Sequence, residues 1–228
     1  MVWIFLTSAL AVFLGFMFWA SASIRFGVYL KAFCGERTDE KVVYLTFDDG
    51  PVAKTTPKVL DVLEKRGAKA TFFMIGKNVS GNEQIVRRIL SEGHGIGIHS
   101  YSHSGTFPLY GVERMADDVT ECRNLLDGIA GRHIALFRPP FGVVNPTVAA
   151  VVKRCGLVTV GWNVRSFDTK GCGSPDWAEK VLRRIMKRVR PGSVILLHDR
   201  LPEADVLLSL LLDRLSSEGY RFDRQLPC

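Results

Sequence analysis

The pattern of hydrophobic and polar positions divides the chain into an uncharged N-terminal run and a longer body of mixed character. From Val2 to Ile24 no residue is charged, and a run of that length is enough for a helix to cross the hydrocarbon of a bilayer. Trp3 and Trp19 lie near its two ends, where interfacial aromatic side chains are common. The pattern therefore predicts one transmembrane or signal-anchor helix over residues 1–24.

The sequence leaves open whether this segment is retained. Ala20-Ser21-Ala22 offers small residues of the kind found at signal-peptide cleavage sites, and cleavage near Ala22 would make the protein secreted. No Lys or Arg precedes the apolar run, however, as it does in most signal peptides. We therefore favour a retained anchor that holds the protein at a membrane.

After a linker over residues 25–40, short apolar runs alternate with segments of helical periodicity. Such alternation is typical of βα units, and the uniformly apolar runs indicate strands buried on both faces. The candidate strands are Val42 to Phe47, Ala70 to Ile75, Gly95 to His99, Ala135 to Arg138, Val158 to Asn163 and Ser193 to His198. The candidate helices are Pro57 to Arg66, Glu83 to Glu92, Val112 to Ile129, Pro146 to Cys155, Asp176 to Val189 and Glu203 to Glu218, four of which are followed directly by glycine, as helix C-termini often are. Residues 41–228 are therefore predicted to form one α/β catalytic domain.

Composition narrows the class of protein without naming its partner. With 228 residues, 47% hydrophobic and 23% charged, the chain has room for one globular domain of ordinary size. A net charge of +7 suits an anionic membrane or polymer, but no zinc-finger spacing or long basic run accompanies it, and we predict no nucleic-acid partner. The five cysteines are too scattered for a disulfide framework, which leaves free thiols and one or two disulfides equally open. His94 and His133, in apparent loops, are predicted to be solvated.

Nearly every candidate strand ends in polar residues that can bind a metal ion or move a proton. In a barrel of parallel strands these carboxyl ends form one mouth, where active sites are built. One site can therefore use all of them. The segments are Thr46 to Pro51, His99 to His103, Arg138 to Gly142, the stretch leading to Asp168, and His198-Asp199.

A metal site is the first chemistry that these segments indicate. His99 and His103 are four residues apart and can point the same way if the backbone turns helically, which would supply two imidazole ligands to a zinc-like ion. A carboxylate of Asp48 or Asp49 would complete a catalytic site with a position left for water. Each signal is weak alone, because surface histidines and polar turns are common. Together they indicate a site for a divalent cation.

In this order and spacing the segments resemble the motifs of the polysaccharide deacetylases, also called the NodB-homology family or carbohydrate esterase family 4. The resemblance covers most of the chain after Lys41. It implies a distorted (β/α) barrel, usually with fewer than eight strands. It also implies removal of acetyl groups from an acetylated polysaccharide or oligosaccharide by a water molecule that a divalent metal ion activates.

The resemblance assigns the centre of the site to four residues. Asp48 matches the catalytic base, whereas Asp49, His99 and His103 match the metal ligands. The ion is expected to be Zn²⁺, with Co²⁺, Ni²⁺ and Fe²⁺ as alternatives that the ligand types equally allow.

Four further residues match supporting roles. His198 matches the general acid that protonates the departing sugar nitrogen, and Phe141 matches the residue whose backbone N–H holds the oxyanion. Arg138 resembles the arginine that pairs with the base. Asp168 resembles the carboxylate that orients the catalytic histidine.

The chain departs from the family pattern at a few positions. Arg165 and Thr169 stand where many members have Asp and Trp, and Ile98 stands where Asn is common. These changes bear on substrate preference more than on catalysis, because Asp168 is retained. Of the aromatic residues near the motifs, we select only Phe141 as a contact for a sugar.

Three functions are compatible with the resemblance. The leading one is an N-deacetylase acting on N-acetylglucosamine or N-acetylmuramic acid units, in peptidoglycan, a chitin-like oligomer or an envelope polysaccharide. An O-acetyl esterase of the xylan type would use the same site. A membrane-tethered carbohydrate-binding protein without turnover would be expected to lack a base, a ligand or an acid, whereas this chain has all of them.

Two features disagree about location. The cations Arg25, Lys31, Arg37 and Lys41 follow the apolar segment, and such flanks favour a cytoplasmic domain. An envelope polymer requires a domain on the extracytoplasmic side instead. We follow the substrate argument and expect the catalytic domain there.

Overall fold

Short buried strands form one parallel sheet in the computed structural model, which describes residues 2–226. Within that range the strands are β1 (Val43–Asp48), β2 (Ala70–Met74), β3 (Gly95–Ile98), β4 (Leu136–Phe137), β5 (Val158–Thr159), β6 (Val164–Arg165) and β7 (Ser193–His198). Every residue of β1, β2 and β3 is buried, which confirms that the central strands are covered on both faces. The α/β fold class predicted from the sequence is correct.

The sheet curls because its two edge strands are consecutive in the chain. The strand order is β5-β4-β3-β2-β1-β7-β6, and only residues 160–163 separate β5 from β6. A link of that length spans at most about 18 Å, whereas a flat sheet of this many strands would be about 29 Å wide. The edges must therefore approach each other, and the result is an incomplete barrel.

The helices after residue 55 pack their apolar sides against this sheet and form one core with it. They are α2 (Thr56–Lys65), α3 (Gly76–Val79), α4 (Glu83–Ser91), α5 (Val112–Ala130), α6 (Pro146–Arg154), α7 (Trp177–Met186) and α8 (Ala204–Ser217), with short 3₁₀ helices at Phe107–Leu109 and Pro140–Gly142. Among the residues that the structure describes, the N-terminal helix α1 (Val2–Ser21) contributes none to this core, and most of its described apolar side chains are exposed. The six helices predicted after residue 41 are confirmed, each to within three residues at either end. The four glycines at their C-terminal ends all have positive φ, between 58° and 79°, as a left-handed helix terminus requires.

The predicted fifth strand, Val158 to Asn163, is wrong as a single element. β5 ends at Thr159 and β6 begins at Val164, so the apolar run crosses from one edge of the sheet to the other. Gly161 lies at this crossing, where a Cβ atom would come within 2.8 Å of Ile24. An uninterrupted apolar run indicates that a segment is buried, but it does not distinguish a strand from a buried segment that crosses between two strands.

The N-terminal segment is helical, but its predicted role as a membrane span is not supported. Across residues 2–226, none of the helices combines the length and the apolar character that a bilayer crossing requires. The end of α1 contacts the rest of the protein, because the Val144 N–H donates to the Ser21 carbonyl at 3.2 Å. Further along, the Glu36 N–H donates to the Gly192 carbonyl at 2.8 Å.

Within the described residues the cysteines are free thiols. They are Cys34, Cys122, Cys155 and Cys172, and Cys228 lies outside the residues that the structure describes. Burial raises the pKa of Cys122 to about 12. That thiol is therefore a small apolar core group rather than a reactive one.

His94 is buried, so the prediction that it is solvated is wrong. The residue lies between α4 and β3 with 4% of its surface exposed, and its Nδ1 accepts the Ala70 N–H at 3.4 Å. Burial, followed by the positive charge of Lys69, lowers the pKa of His94 to about 4. Its position against the bottom of the sheet follows from the turn between α4 and β3, which no local pattern reveals.

Replacing His94 by Gln is expected to flatten the acid dependence of stability. The native protein holds His94 neutral down to a pH of about 4, whereas the unfolded chain takes up the proton near pH 6.5. The unfolded state therefore binds more protons, and the wild-type free energy of unfolding falls between pH 6.5 and 4, by up to about 3 kcal/mol from this group. Urea unfolding of both proteins at pH 7, 5.5 and 4 measures the difference. Parallel stability curves would contradict this account.

Candidate active site

The polar segments that follow the strands meet in one cavity of about 210 Å³ at the carboxyl edge of the sheet. β1 ends at Asp48 and β7 ends at His198, while His99 follows β3 directly. The two strands β1 and β7 are paired in register, with Asp48 opposite His198. The predicted convergence on one mouth is therefore what the structure shows. The residues of the sequence prediction that line the cavity are Asp48, Asp49, His99, His103, Phe141 and His198.

Asp49, His99 and His103 form a cluster that could hold a metal ion. One ligand atom from each lies within 4.8 Å of the other two. The Asp49 Oδ1 atom is 3.6 Å from His99 Nε2 and 3.4 Å from His103 Nε2. Two imidazoles and a carboxylate are the donors that zinc and similar divalent cations prefer, and three protein ligands leave a position open.

Neighbouring groups orient the side chains of Asp49, His99 and His103 and shift the pKa of two of them. His99 Nδ1 is 2.7 Å from the Arg138 carbonyl oxygen, so the proton sits on Nδ1 and Nε2 keeps its lone pair. Burial, followed by the neighbouring His99, lowers the pKa of His103. Burial opposes ionisation of Asp49, but the neighbouring imidazoles of His99 and His198 and the Arg200 hydrogen bond outweigh it and lower the pKa of Asp49. The hydrogen bond thus leaves the His99 Nε2 atom free to bind a cation, and the lowered pKa values of Asp49 and His103 favour the carboxylate and the neutral imidazole that bind metal.

The loop after β3 turns by means of left-handed residues rather than a regular helical turn. Ser100 and His103 have φ of 66° and 45°, and the Ser100 Oγ accepts the His103 N–H at 2.9 Å. The Asp118 carboxylate on α5 accepts the N–H groups of Tyr101 and Ser102 at 2.7 and 3.2 Å. Asp118 was missed in the sequence, where it is one of several acidic residues on an amphipathic helix.

Asp48 is held by the most buried ion pair of the site. Arg138 has no exposed surface and Asp48 is 3% exposed, and the Arg138 Nη1 donates to Asp48 Oδ1 at 2.6 Å. The guanidinium also donates to the hydroxyl of Thr46 and to two backbone carbonyls, at 2.9 to 3.2 Å. The second carboxylate oxygen, Oδ2, faces the histidines at 3.9 Å from His99 Nε2. This arrangement binds one oxygen of Asp48 in a charge-assisted hydrogen bond and leaves the other available.

His198 and Asp168 form a second hydrogen-bonded pair on the other side of the cavity. His198 Nδ1 is 2.8 Å from Asp168 Oδ1, and the His198 N–H donates to Asp168 Oδ2 at 2.8 Å. Burial opposes protonation of His198, but the hydrogen bond and charge of Asp168 outweigh it and raise the pKa of His198. Nε2 is left pointing towards the cavity, 3.8 Å from Asp49 Oδ2. Asp168 itself is fully buried.

Phe141 stands at the rim with a strained backbone. Its φ is 63°, its side chain is about half exposed, and its ring centroid is 4.9 Å from that of His103. The next residue, Gly142, packs so closely that a Cβ atom would lie 2.4 Å from the Trp162 ring. Both aromatic residues line the cavity, whereas Tyr101 does not.

Two more residues hold the Asp49 turn: Arg200, which sequence reasoning missed, and Asp199, which it noted only as a polar residue at the end of a strand. The Arg200 Nε donates to Asp49 Oδ2 at 2.8 Å, which leaves Oδ1 towards the histidines. Asp199 is fully buried and accepts the Thr56 hydroxyl at 2.6 Å, and burial raises its pKa to about 7. A Cβ atom on Gly50 would meet the Asp199 carboxylate at 2.3 Å, so only glycine fits beside it.

Comparison with known proteins gives four concordant findings. The family model described as polysaccharide deacetylase matches residues 35–160. A peptidoglycan-N-acetylglucosamine deacetylase of Bacillus cereus is 35% identical over 191 residues, covering 81% of this chain and 86% of the relative. A chitooligosaccharide deacetylase of Azorhizobium caulinodans is 34% identical over 165 residues, covering 72% and 76%. The crystal structure of the Bc1960 peptidoglycan N-acetylglucosamine deacetylase superposes with a TM-score of 0.76 at 32% identity, covering 84% of this chain and 88% of that one.

Proposed function

Because this chain belongs to the polysaccharide deacetylase family, we propose that it is a metal-dependent N-deacetylase and that the cavity at the carboxyl edge of the sheet is its active site. The substrate is an acetylated polysaccharide or oligosaccharide carrying acetamido sugars, as in peptidoglycan or chitin-like chains. The names of the relatives support N-acetyl rather than O-acetyl groups. One observation carries the proposal: a three-ligand cluster, a paired carboxylate and a carboxylate-bound histidine line the same small cavity.

Asp49, His99 and His103 would hold the metal. A divalent cation bound there would polarise the acetyl carbonyl and lower the pKa of water. Asp48 would act as the general base: Arg138 holds its Oδ1, and its Oδ2 faces the cluster, where it can accept a proton from the attacking water. The backbone N–H of Phe141 at the rim is the proposed donor to the oxyanion.

His198 is the proposed general acid. Its Nε2 points into the cavity while Asp168 holds Nδ1, so the proton available for transfer lies on the cavity side. The raised pKa of His198 favours the protonated ring that a general acid requires. The proton goes to the leaving nitrogen of the sugar, because an amine leaves poorly from carbon unless it is protonated.

The decisive experiment is acetate release by the full chain, loaded with Zn²⁺, from N-acetylchitotetraose, from peptidoglycan and from O-acetylated xylan. We expect release from an N-acetylated substrate that stops on chelation and returns when the metal is restored. Release from xylan alone would replace the proposal by the O-acetyl esterase. Metal and glycan binding without any release would favour a carbohydrate-binding protein.

We propose that the domain works on the extracytoplasmic side. Two relatives of the chain are named for peptidoglycan, a polymer that lies outside the cytoplasmic membrane. Alkaline phosphatase fused after Cys228 is expected to be active, because that reporter folds only where disulfides form. A fusion active only with a cytoplasmic reporter would overturn this assignment.

A further inference from the structure

Three cations surround one aromatic ring at the mouth of the cavity. The guanidinium carbon of Arg165 lies 4.7 Å from the centroid of the Phe167 ring, the Lys170 ammonium 5.1 Å and the Arg184 guanidinium carbon 5.7 Å. We call Arg165, Lys170 and Arg184 the basic cluster. Arg165 and Phe167 both line the cavity that holds Asp48 and His198.

The basic cluster has no carboxylate of its own. Among residues 2–226, no Asp or Glu side chain lies within 4 Å of its three cationic groups. The carboxylates of the site are engaged elsewhere: Asp48 with Arg138, Asp49 with Arg200, and Asp168 with His198. Within the part of the chain that the structure describes, the Arg184 guanidinium donates only to the Ser166 carbonyl, at 2.6 Å. The mouth of the cavity therefore presents uncompensated positive charge to anything that enters.

Arg165 is the member of the basic cluster that is placed to touch a substrate. It pairs in register with Leu196 on β7, and residues paired across a parallel sheet share a face. Leu196 and His198 line the cavity, so the Arg165 side chain emerges on the same side. His198 lies on the neighbouring strand, two residues beyond Leu196, so the Cα atoms of Arg165 and His198 are about 8 Å apart.

The surroundings of Arg165 suit binding of an anion. Its guanidinium carbon also lies 5.8 Å from the Trp162 ring, so two aromatic rings restrict its position while the N–H groups stay open to solvent. A guanidinium held on aromatic rings keeps its fork of donors for a planar, bidentate acceptor. Lys170 and Arg184 add charge without competing for that contact.

We propose that Arg165, with Lys170 and Arg184 behind it, binds an anionic substituent, a carboxylate or a phosphate, on the sugar next to the one that is deacetylated. This inference rests on the proposed function and narrows its substrate class to acidic glycans. The anion supplies the negative charge that no protein carboxylate provides to the basic cluster. It fixes the register of the glycan, so that the acetamido group of the neighbouring unit reaches Asp48 and His198.

The test compares Arg165→Gln with wild type on an acidic glycan and its uncharged ester, and on a second glycan that carries a phosphate. The glycans are a peptide-free N-acetylglucosamine–N-acetylmuramic acid tetrasaccharide, its methyl ester and N-acetylchitobiose 1-phosphate. For each we measure the dissociation constant by calorimetry and kcat/KM by acetate release. We expect the substitution to lower the preference for the free acid over its ester about 10- to 100-fold, mainly through KM and the dissociation constant. Arg165→Lys should restore part of the preference.

Arg87→Gln is the matched control, because Arg87 is an exposed cation on α4 without an ion pair among the described residues. It should leave the acid-to-ester ratio at the wild-type value. An equal loss on acid and ester in Arg165→Gln would overturn the proposal in favour of a purely structural role for Arg165. Preference for the 1-phosphate over the carboxylate would assign the site to phosphate. Charge-dependent binding with no acetate release would instead refute the proposed function and leave the anion site standing.

Discussion

Asp48→Asn is expected to lower kcat for acetate release by about 10²- to 10⁴-fold, the range that a general base contributes. The amide has nearly the shape of the carboxylate and can still accept a hydrogen bond from Arg138, but it cannot take a proton from water. The candidate ligands Asp49, His99 and His103 are untouched, so metal binding should persist. Metal content and kcat measured on the same preparation separate loss of the base from loss of the ion.

Asp117→Asn provides the control for this substitution. Asp117 is exposed on α5, and the same chemical change there should leave kcat near the wild-type value. If Asp48→Asn releases acetate at the wild-type rate with metal bound, another group is the base, and the assignment of Asp48 fails. A loss of metal together with activity would point to Asp48 as a ligand instead.

Arg138→Met is expected to lower the free energy of unfolding by about 3–5 kcal/mol, the cost of leaving one member of a buried ion pair without its partner. Arg138 is completely buried and its donors serve the Asp48 carboxylate, a hydroxyl and two carbonyls. Methionine fills a similar volume, so the loss of free energy of unfolding would come from the missing charge and hydrogen bonds rather than from a cavity. Urea unfolding at pH 7 measures it.

Two further variants make this prediction specific. Arg154→Met breaks an ion pair of the same 2.6 Å length, with Glu113, in which both side chains are more than half exposed. It should cost far less than Arg138→Met, because water screens the exposed charges. Adding Asp48→Leu to Arg138→Met should recover stability, since no unpaired charge then remains. If Arg154→Met lowers the free energy of unfolding as much as Arg138→Met does, burial does not explain the contribution of the Arg138–Asp48 ion pair.

The pattern along the chain was sufficient to predict the α/β class and most elements of the body. Apolar runs of strand length and helices closed by glycine depend on contacts and backbone angles within a few residues, which the sequence shows directly. The sequence also predicted that Asp48, His99 and His198 lie close together, because the carboxyl ends of parallel strands meet at one edge of the sheet. The resemblance to a family, rather than spacing, divided the roles between Asp48 and Asp49.

Other features depend on contacts that only the folded chain makes. The Arg138–Asp48 bond joins residues 90 positions apart, and the Asp49–Arg200 bond joins residues 151 apart. The hydrogen bonds from the loop after β3 to Asp118 also depend on the folded chain. So does the crossing at Gly161, where one apolar run contributes a strand to each edge of the sheet. Polar side chains look alike in a sequence whether they meet water or a partner from another strand.

By itself, then, the sequence determined which segments become strands and helices and which polar residues stand at the ends of the strands. Only the tertiary structure decided which of those side chains are buried together, which oxygen of Asp49 faces the histidines, and that Arg165 stands uncompensated beside the site. The reason is physical: secondary structure follows from local periodicity and backbone preference, whereas pKa values, ion pairs and an open cationic rim depend on the burial and distance of groups that the curled sheet brings together.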